Sequence, residues 1–113
     1  MSDRIYHNPK CSTSRKTLDL LRENGIEPEV VQYLKTPPTR AELVAMIKDA
    51  GIDVRTAVRK RESLYAELNL ADATDEQLLD AMAQHPILIE RPFVVTAKGT
   101  RLARPIDAVR EIL

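Results

Sequence analysis

RIYHNPKCSTSRKTLDLLRENGIEPEVVQYL, residues 4–34, changes its periodicity twice, and those two changes decide the fold. Arg4 to His7 is a short β-forming run closed by Asn8-Pro9, a pair that favours a turn. From Ser12 the apolar positions take helical spacing, with Leu18, Leu20 and Leu21 toward one face. That run stops near Asn24-Gly25, where glycine suits the left-handed residue that ends many helices. Glu29 to Leu34 (EVVQYL) is β-branched and aromatic again, and it breaks at Thr36-Pro37-Pro38. Strand, helix and strand in this order predict a βαβ unit with parallel strands, because a crossover helix returns the chain to the same end of the sheet. Cys11, the only cysteine, falls between the first strand and the helix.

Beyond this unit, Thr39 and Glu42 form a capping box for a helix expected to turn Leu43, Val44 and Ile47 inward and to end near Ala50-Gly51. Residues 53–85 read as wholly helical: a basic run from Val54 to Arg61, a piece from Tyr65 to Leu70, and a helix capped at Thr74 that carries Leu78, Leu79 and Met82 inward. Pro92 to Thr96 is an apolar β run, Lys98-Gly99 a hairpin turn and Thr100 to Ala103 a return strand. Pro105 opens a closing helix through Val109 and Ile112. The expected architecture is α/β, with a small mixed sheet of about four strands flanked by helices. It forms one domain over residues 1–113, with a helical insertion over about 39–86 between the second and third strands.

Composition narrows the function. Apolar residues make up 43% and charged residues 30%, which is the balance of a soluble globular protein. Lys plus Arg and Asp plus Glu are both 17, so there is no excess basic charge to draw nucleic acid or an anionic membrane. Neither a secretory signal nor an apolar stretch of spanning length occurs, and one cysteine cannot form an internal disulfide, so the expected compartment is the cytoplasm. A cysteine and two histidines, His7 and His85, lack the spacing of a metal site, and no tightly bound cofactor is expected.

A lone cysteine is commonly a small buried residue. The setting of Cys11 points elsewhere, because Pro9 to Arg15 is polar on both sides of it and reads as an exposed loop. The strand-cysteine-helix order also places the sulfur where helical N–H groups lack partners and the helix dipole is positive, which favours a thiolate. Cys11-Ser12-Thr13-Ser14 keeps the frame of a Cys-x-x-Cys dithiol with serine in the second place. Oxidised Cys11 therefore needs rescue by glutathione or a partner protein. A tyrosine-phosphatase loop is excluded, since Thr17 stands six residues after the cysteine, where that loop needs arginine.

Arg91 and Arg104 each precede a proline at a strand border, and planar guanidinium forks suit tetrahedral oxyanions. Arg59 lies among Arg55, Lys60 and Arg61, any of which could be the contact. His7 reads equally as a partly buried strand residue, and Ser14 as a group that satisfies N–H donors of the first helical turn.

His7 to Arg15 (HNPKCSTSR), Tyr33 to Pro38 (YLKTPP), Val58-Arg59, His85 to Pro92 (HPILIERP) and Arg101 to Pro105 (RLARP) together resemble the glutaredoxin-coupled arsenate reductase family, in order and over essentially the whole chain. The resemblance implies a thioredoxin-like fold and reduction of arsenate to arsenite, with glutathione as co-substrate and glutaredoxin as partner. It implies Cys11 as the nucleophile, Arg59, Arg91 and Arg104 as holders of the oxyanion, His7 and Ser14 as assistants to the cysteine, and a cis peptide at Arg91-Pro92. A monomer is expected. The chain ends at Leu113 without the C-terminal tail of plasmid-type members, so it looks closer to short chromosomal relatives, and Ala103 stands where some members carry a non-catalytic cysteine. Two rivals remain. One is a thiol reductase of another substrate. The other is a thioredoxin-fold regulator that binds RNA polymerase, of a kind that commonly has a second cysteine separated from its first by two residues, the place Ser14 holds here.

Overall fold

Four strands form one mixed sheet of order β2-β1-β3-β4 in the computed structural model, which describes residues 3–113. The first two residues, from which the sequence reading of the N-terminus starts, lie outside the described part. The chain divides into two compact units, one running through Thr36 and resuming over Arg91–Leu113, the other Pro37–Glu90.

The first unit contains β1 (Arg4–His7), α1 (Ser12–Glu23), β2 (Glu29–Gln32), β3 (Phe93–Thr96), β4 (Gly99–Leu102) and a closing 3-10 helix, Ile106–Ile112. β1 pairs with β2 in parallel, His7 opposite Gln32, as the periodicity predicts. β3 runs antiparallel to β1, and β4 antiparallel to β3. Ile5 and Val94 are register partners and so share a face of the sheet. On that face they cluster with Leu18, Leu20 and Leu21 of α1 and with Ala103, Val109 and Ile112. Complete burial of a side chain such as Leu21 stabilises by about 1.5–3 kcal/mol.

These directions have a functional result. The ends of β1, β2 and β4 and the start of β3 all lie at one edge of the sheet. The Cys11 loop, Tyr33, Arg91-Pro92 and Ala103-Arg104 therefore emerge together, although up to 93 positions separate them in sequence.

The second unit contains α2 (Arg40–Asp49), α3 (Val54–Ala57), α4 (Ser63–Glu67) and α5 (Asp75–Gln84), with 3-10 turns at Leu70–Asp72 and Pro86–Leu88. Both expected caps form as full capping boxes, Thr39 with Glu42 and Thr74 with Gln77. Three expectations need correction. In α2 the buried positions are Leu43, Met46 and Ile47, while Val44 is exposed, because the buried stripe is centred on Leu43 and the residues three and four after it, and Val44 lies at its margin. The basic run is not wholly helical either. α3 ends at Ala57, and Val58 is extended and bridges Ile89, with Arg59 N–H donating to the Leu88 carbonyl and Glu90 N–H to that of Ala57. Val58 is β-branched and buried, and a strand-like pairing suits it better than a helical turn. The hairpin turn also sits one residue earlier than expected, at Ala97-Lys98. Among the described residues, no helix is long and apolar enough to cross a membrane.

Candidate active site

Asn8-Pro9-Lys10-Cys11 forms a tight turn in which the Cys11 N–H donates to the Asn8 carbonyl, at 3.0 Å. Proline at its second position presets the backbone for that turn. The Asn8 side-chain oxygen accepts from the Lys10 N–H at 3.0 Å, and Arg15 donates to the Pro9 carbonyl at 2.8 Å. Inside the turn, the fully buried Ser14 hydroxyl accepts from the Asn8 N–H at 3.1 Å and lies 2.6 Å from His7 Nδ1. Ser14 thus ties the start of α1 to the end of β1, and Cys11 becomes the N-cap residue, half-buried at the head of the helix.

Two arginines approach the sulfur from other strands. Arg104 Nη2 lies 3.6 Å from Cys11 Sγ, and its Nε donates to the Arg91 carbonyl at 2.7 Å. Arg91 itself is only 8% exposed, so its charge acts on the thiol through little solvent. Both Arg91-Pro92 and Arg104-Pro105 are cis. Burial works to raise the Cys11 pKa. The Ser14 backbone N–H, the Arg91 guanidinium as donor and charge, and the charge of Arg104 outweigh it and hold the thiol below the ordinary cysteine value. Burial, with the nearby charges of Arg22 and Arg15, pushes the His7 pKa down, so its imidazole is neutral at pH 7.

A testable consequence follows for thiol reactivity. Alkylation of Cys11 by a neutral reagent should reach its plateau at a lower pH than a free cysteine thiol, because thiolate is the reacting form. Arg104→Ala should move the profile back toward higher pH. A wild-type profile that coincides with free cysteine would contradict the charge arrangement.

Of the residues singled out in the sequence, the structure brings Cys11, Arg91, Arg104, Ser14 and His7 together. Arg59 belongs to the other unit, where its guanidinium pairs with Glu62 at 3.2 Å and Glu90 at 3.4 Å. Arg55 is committed there to the Tyr65 hydroxyl and the Leu70 and Ala73 carbonyls, which accounts for it structurally, while Lys60 and Arg61 are exposed. Two neighbours of the thiol escape the sequence reading: Asn8, which reads there only as a turn former, and Tyr33, which reads as a strand residue. The Asn-Pro pair signals Asn8. Tyr33 becomes visible only once β2 is set beside β1, since it follows Gln32, the partner of His7. Among the described residues no group of three or more His, Cys, Asp or Glu side chains could hold a metal ion.

The site can present a thiolate to an anion already facing two guanidinium groups. Comparison with known proteins agrees in kind. The sequence profile of the ArsC family matches residues 6–112. The chain is 59% identical over 115 aligned positions to the arsenate reductase of Rhizobium meliloti (strain 1021), covering all of this chain and 82% of that one. It is 58% identical to the arsenate reductase of Escherichia coli (strain K12), over 96% of this chain and 79% of that protein. The solved structure of the arsenate reductase from Vibrio cholerae superposes with a TM-score of 0.94 at 51% identity, covering 100% of this chain and 98% of that one.

Proposed function

The chain belongs to the ArsC family, and from that membership and the geometry around Cys11 we propose that it is an arsenate reductase working through a single thiol. The observation that carries the reading is the Cys11 sulfur at a helix N-terminus with Arg104 at 3.6 Å and Arg91 beside it. Arsenate binds against the guanidinium groups of Arg91 and Arg104, with Arg59 as the third arginine on the strength of the family resemblance. The Cys11 thiolate attacks arsenic and expels hydroxide or water, leaving an arsenic(V) adduct on sulfur. Glutathione thiolate attacks the Cys11 sulfur. The sulfur–arsenic pair stays with arsenic, which leaves as arsenite, and the two thiols become one disulfide. Glutaredoxin then takes the glutathione from Cys11 and restores the thiolate.

His7 acts through Ser14, keeping the loop and helix start in register with the sulfur. A pocket of about 400 Å³ beside the loop, lined in part by His7, Ser12, Arg15, Lys16 and Arg22, offers cationic groups for the carboxylates of glutathione. The requirement for an outside thiol supports a cytoplasmic setting, where glutathione is kept reduced.

The test is arsenate-dependent NADPH oxidation coupled through glutathione, glutaredoxin and glutathione reductase. Turnover is expected to need all three and to fall at least about tenfold when thioredoxin replaces glutaredoxin, because Cys11 has no resolving partner in this chain. Comparable rates with thioredoxin alone would count against glutathione as the resolving thiol. The regulator reading gains nothing here, since Ser14 rather than a second cysteine occupies the place after Cys11 that redox sensing would use.

A further inference from the structure

Tyr33 follows β2 directly and is 1% exposed, at the edge of the sheet where the Cys11 loop leaves β1. Its hydroxyl oxygen is enclosed and makes no hydrogen bond of normal geometry. A buried hydroxyl without a partner is destabilising, so its retention calls for an explanation.

The groups around that oxygen supply one. Arg91 and the Asn8 side chain come near enough to favour negative charge on it, while the Cys11 thiolate opposes such charge. The Asn8 amide oxygen is already taken by the Lys10 N–H, which leaves its NH2 as the end available to other groups. Arg91 and Asn8 are therefore donors, able to fill the lone pairs of the phenol but not to receive its proton. None of these three neighbours receives that proton in the structure. Burial pushes the Tyr33 pKa up, and the Cys11 charge adds to this against the opposing effects of Arg91 and Asn8, so the phenol stays protonated near neutral pH.

We infer that Tyr33 is a further catalytic residue, whose hydroxyl donates a hydrogen bond to an oxygen of the oxyanion seated on Cys11 and Arg91. In the free enzyme the donor waits without an acceptor. Once a tetrahedral group is bonded to sulfur, its oxygens extend past the sulfur and complete the contact. No bond to Tyr33 forms or breaks, and the phenol keeps its proton. Because the hydroxyl is enclosed, bulk water does not compete for it. This assignment rests on the arsenate reductase reading for the identity of the oxyanion.

Tyr33→Phe removes one oxygen and keeps the ring. A neutral donor to an anionic oxygen is worth about 10- to 100-fold in kcat/KM. The expected result is a loss of that size in arsenate turnover. The melting temperature should hold or rise, because an unsatisfied buried hydroxyl is removed, and the pH profile of Cys11 alkylation should not move. Unchanged kcat/KM overturns the assignment, as does a loss accompanied by a lower melting temperature and a shifted alkylation profile, which marks a structural role. A second measurement separates this inference from the reading it rests on. Inorganic arsenate without glutathione should protect Cys11 from a neutral alkylating reagent, with a half-protecting concentration at least about tenfold higher in Tyr33→Phe. If the wild-type protein shows no coupled turnover, the reductase reading fails and protection alone decides Tyr33. Equal protection in the two proteins then overturns it.

Discussion

Cys11→Ser is expected to abolish arsenate-dependent turnover, by at least about a thousandfold, and to leave the protein as stable as the wild type or more so. The loss follows from chemistry. A serine hydroxyl at neutral pH has no nearby general base here, since the neutral His7 imidazole contacts Ser14 rather than position 11. The stability follows from position. Cys11 is the N-cap residue of α1 and its side chain makes no capping hydrogen bond, whereas serine is among the preferred N-cap residues. Activity and stability should thus move apart, read by the coupled assay and by thermal melting. Residual turnover well above background sinks the single-thiol mechanism, and a large fall in melting temperature shows that the sulfur packs where the geometry has it half exposed.

The second large effect concerns Arg91 and Arg104, which can act on the thiol, on the anion, or on both. Activation of the thiol is self-limiting. Each unit by which a thiol pKa falls raises the thiolate fraction at most about tenfold, while the slope of about 0.4–0.5 takes back about threefold in nucleophilicity. A charge-assisted contact to a bound anion is worth about 1.5–3 kcal/mol, which is about 10- to 150-fold in catalytic efficiency. Arg91→Ala and Arg104→Ala are therefore expected to lower kcat/KM for arsenate about 10- to 150-fold each, and to slow alkylation of Cys11 by a neutral reagent only a few-fold. Lysine at either position should recover charge but only part of the turnover, because the planar fork is lost. The Arg91 backbone carbonyl that receives Arg104 survives Arg91→Ala, so the two substitutions test separate guanidinium groups. Equal falls in turnover and alkylation would make both arginines thiol activators and remove them from the anion.

The local elements were legible because their signals are local. The period change at Ser12, the stop at Asn24-Gly25, the capping boxes at Thr39 and Thr74 and the β run before the last hairpin all depend on neighbours a few residues away. Where the helical reading failed at Val58, the competing partner was distant in sequence. Val58 leaves the helical pattern because Ile89, 31 positions on, offers it a bridge, and such a pairing leaves no trace in the spacing of the basic run.

The same division holds at the site. Cys11 could be read from the polar loop and from its place ahead of a helix, since the helix end itself creates the electrostatic setting. Arg91 and Arg104 were legible only as arginines before prolines at strand borders, a weak signal without the resemblance. Their approach to the sulfur depends on β3 and β4 joining β1 in one sheet, which carries residues 80 and 93 positions from Cys11 to the same edge. Tyr33 was invisible as a neighbour of the thiol for the same reason. By itself the sequence determined which segments become strands and helices, and where the lone thiol sits between them. The tertiary structure decided which donors meet that thiol, because strand pairing joins residues through backbone hydrogen bonds that no short-range pattern encodes.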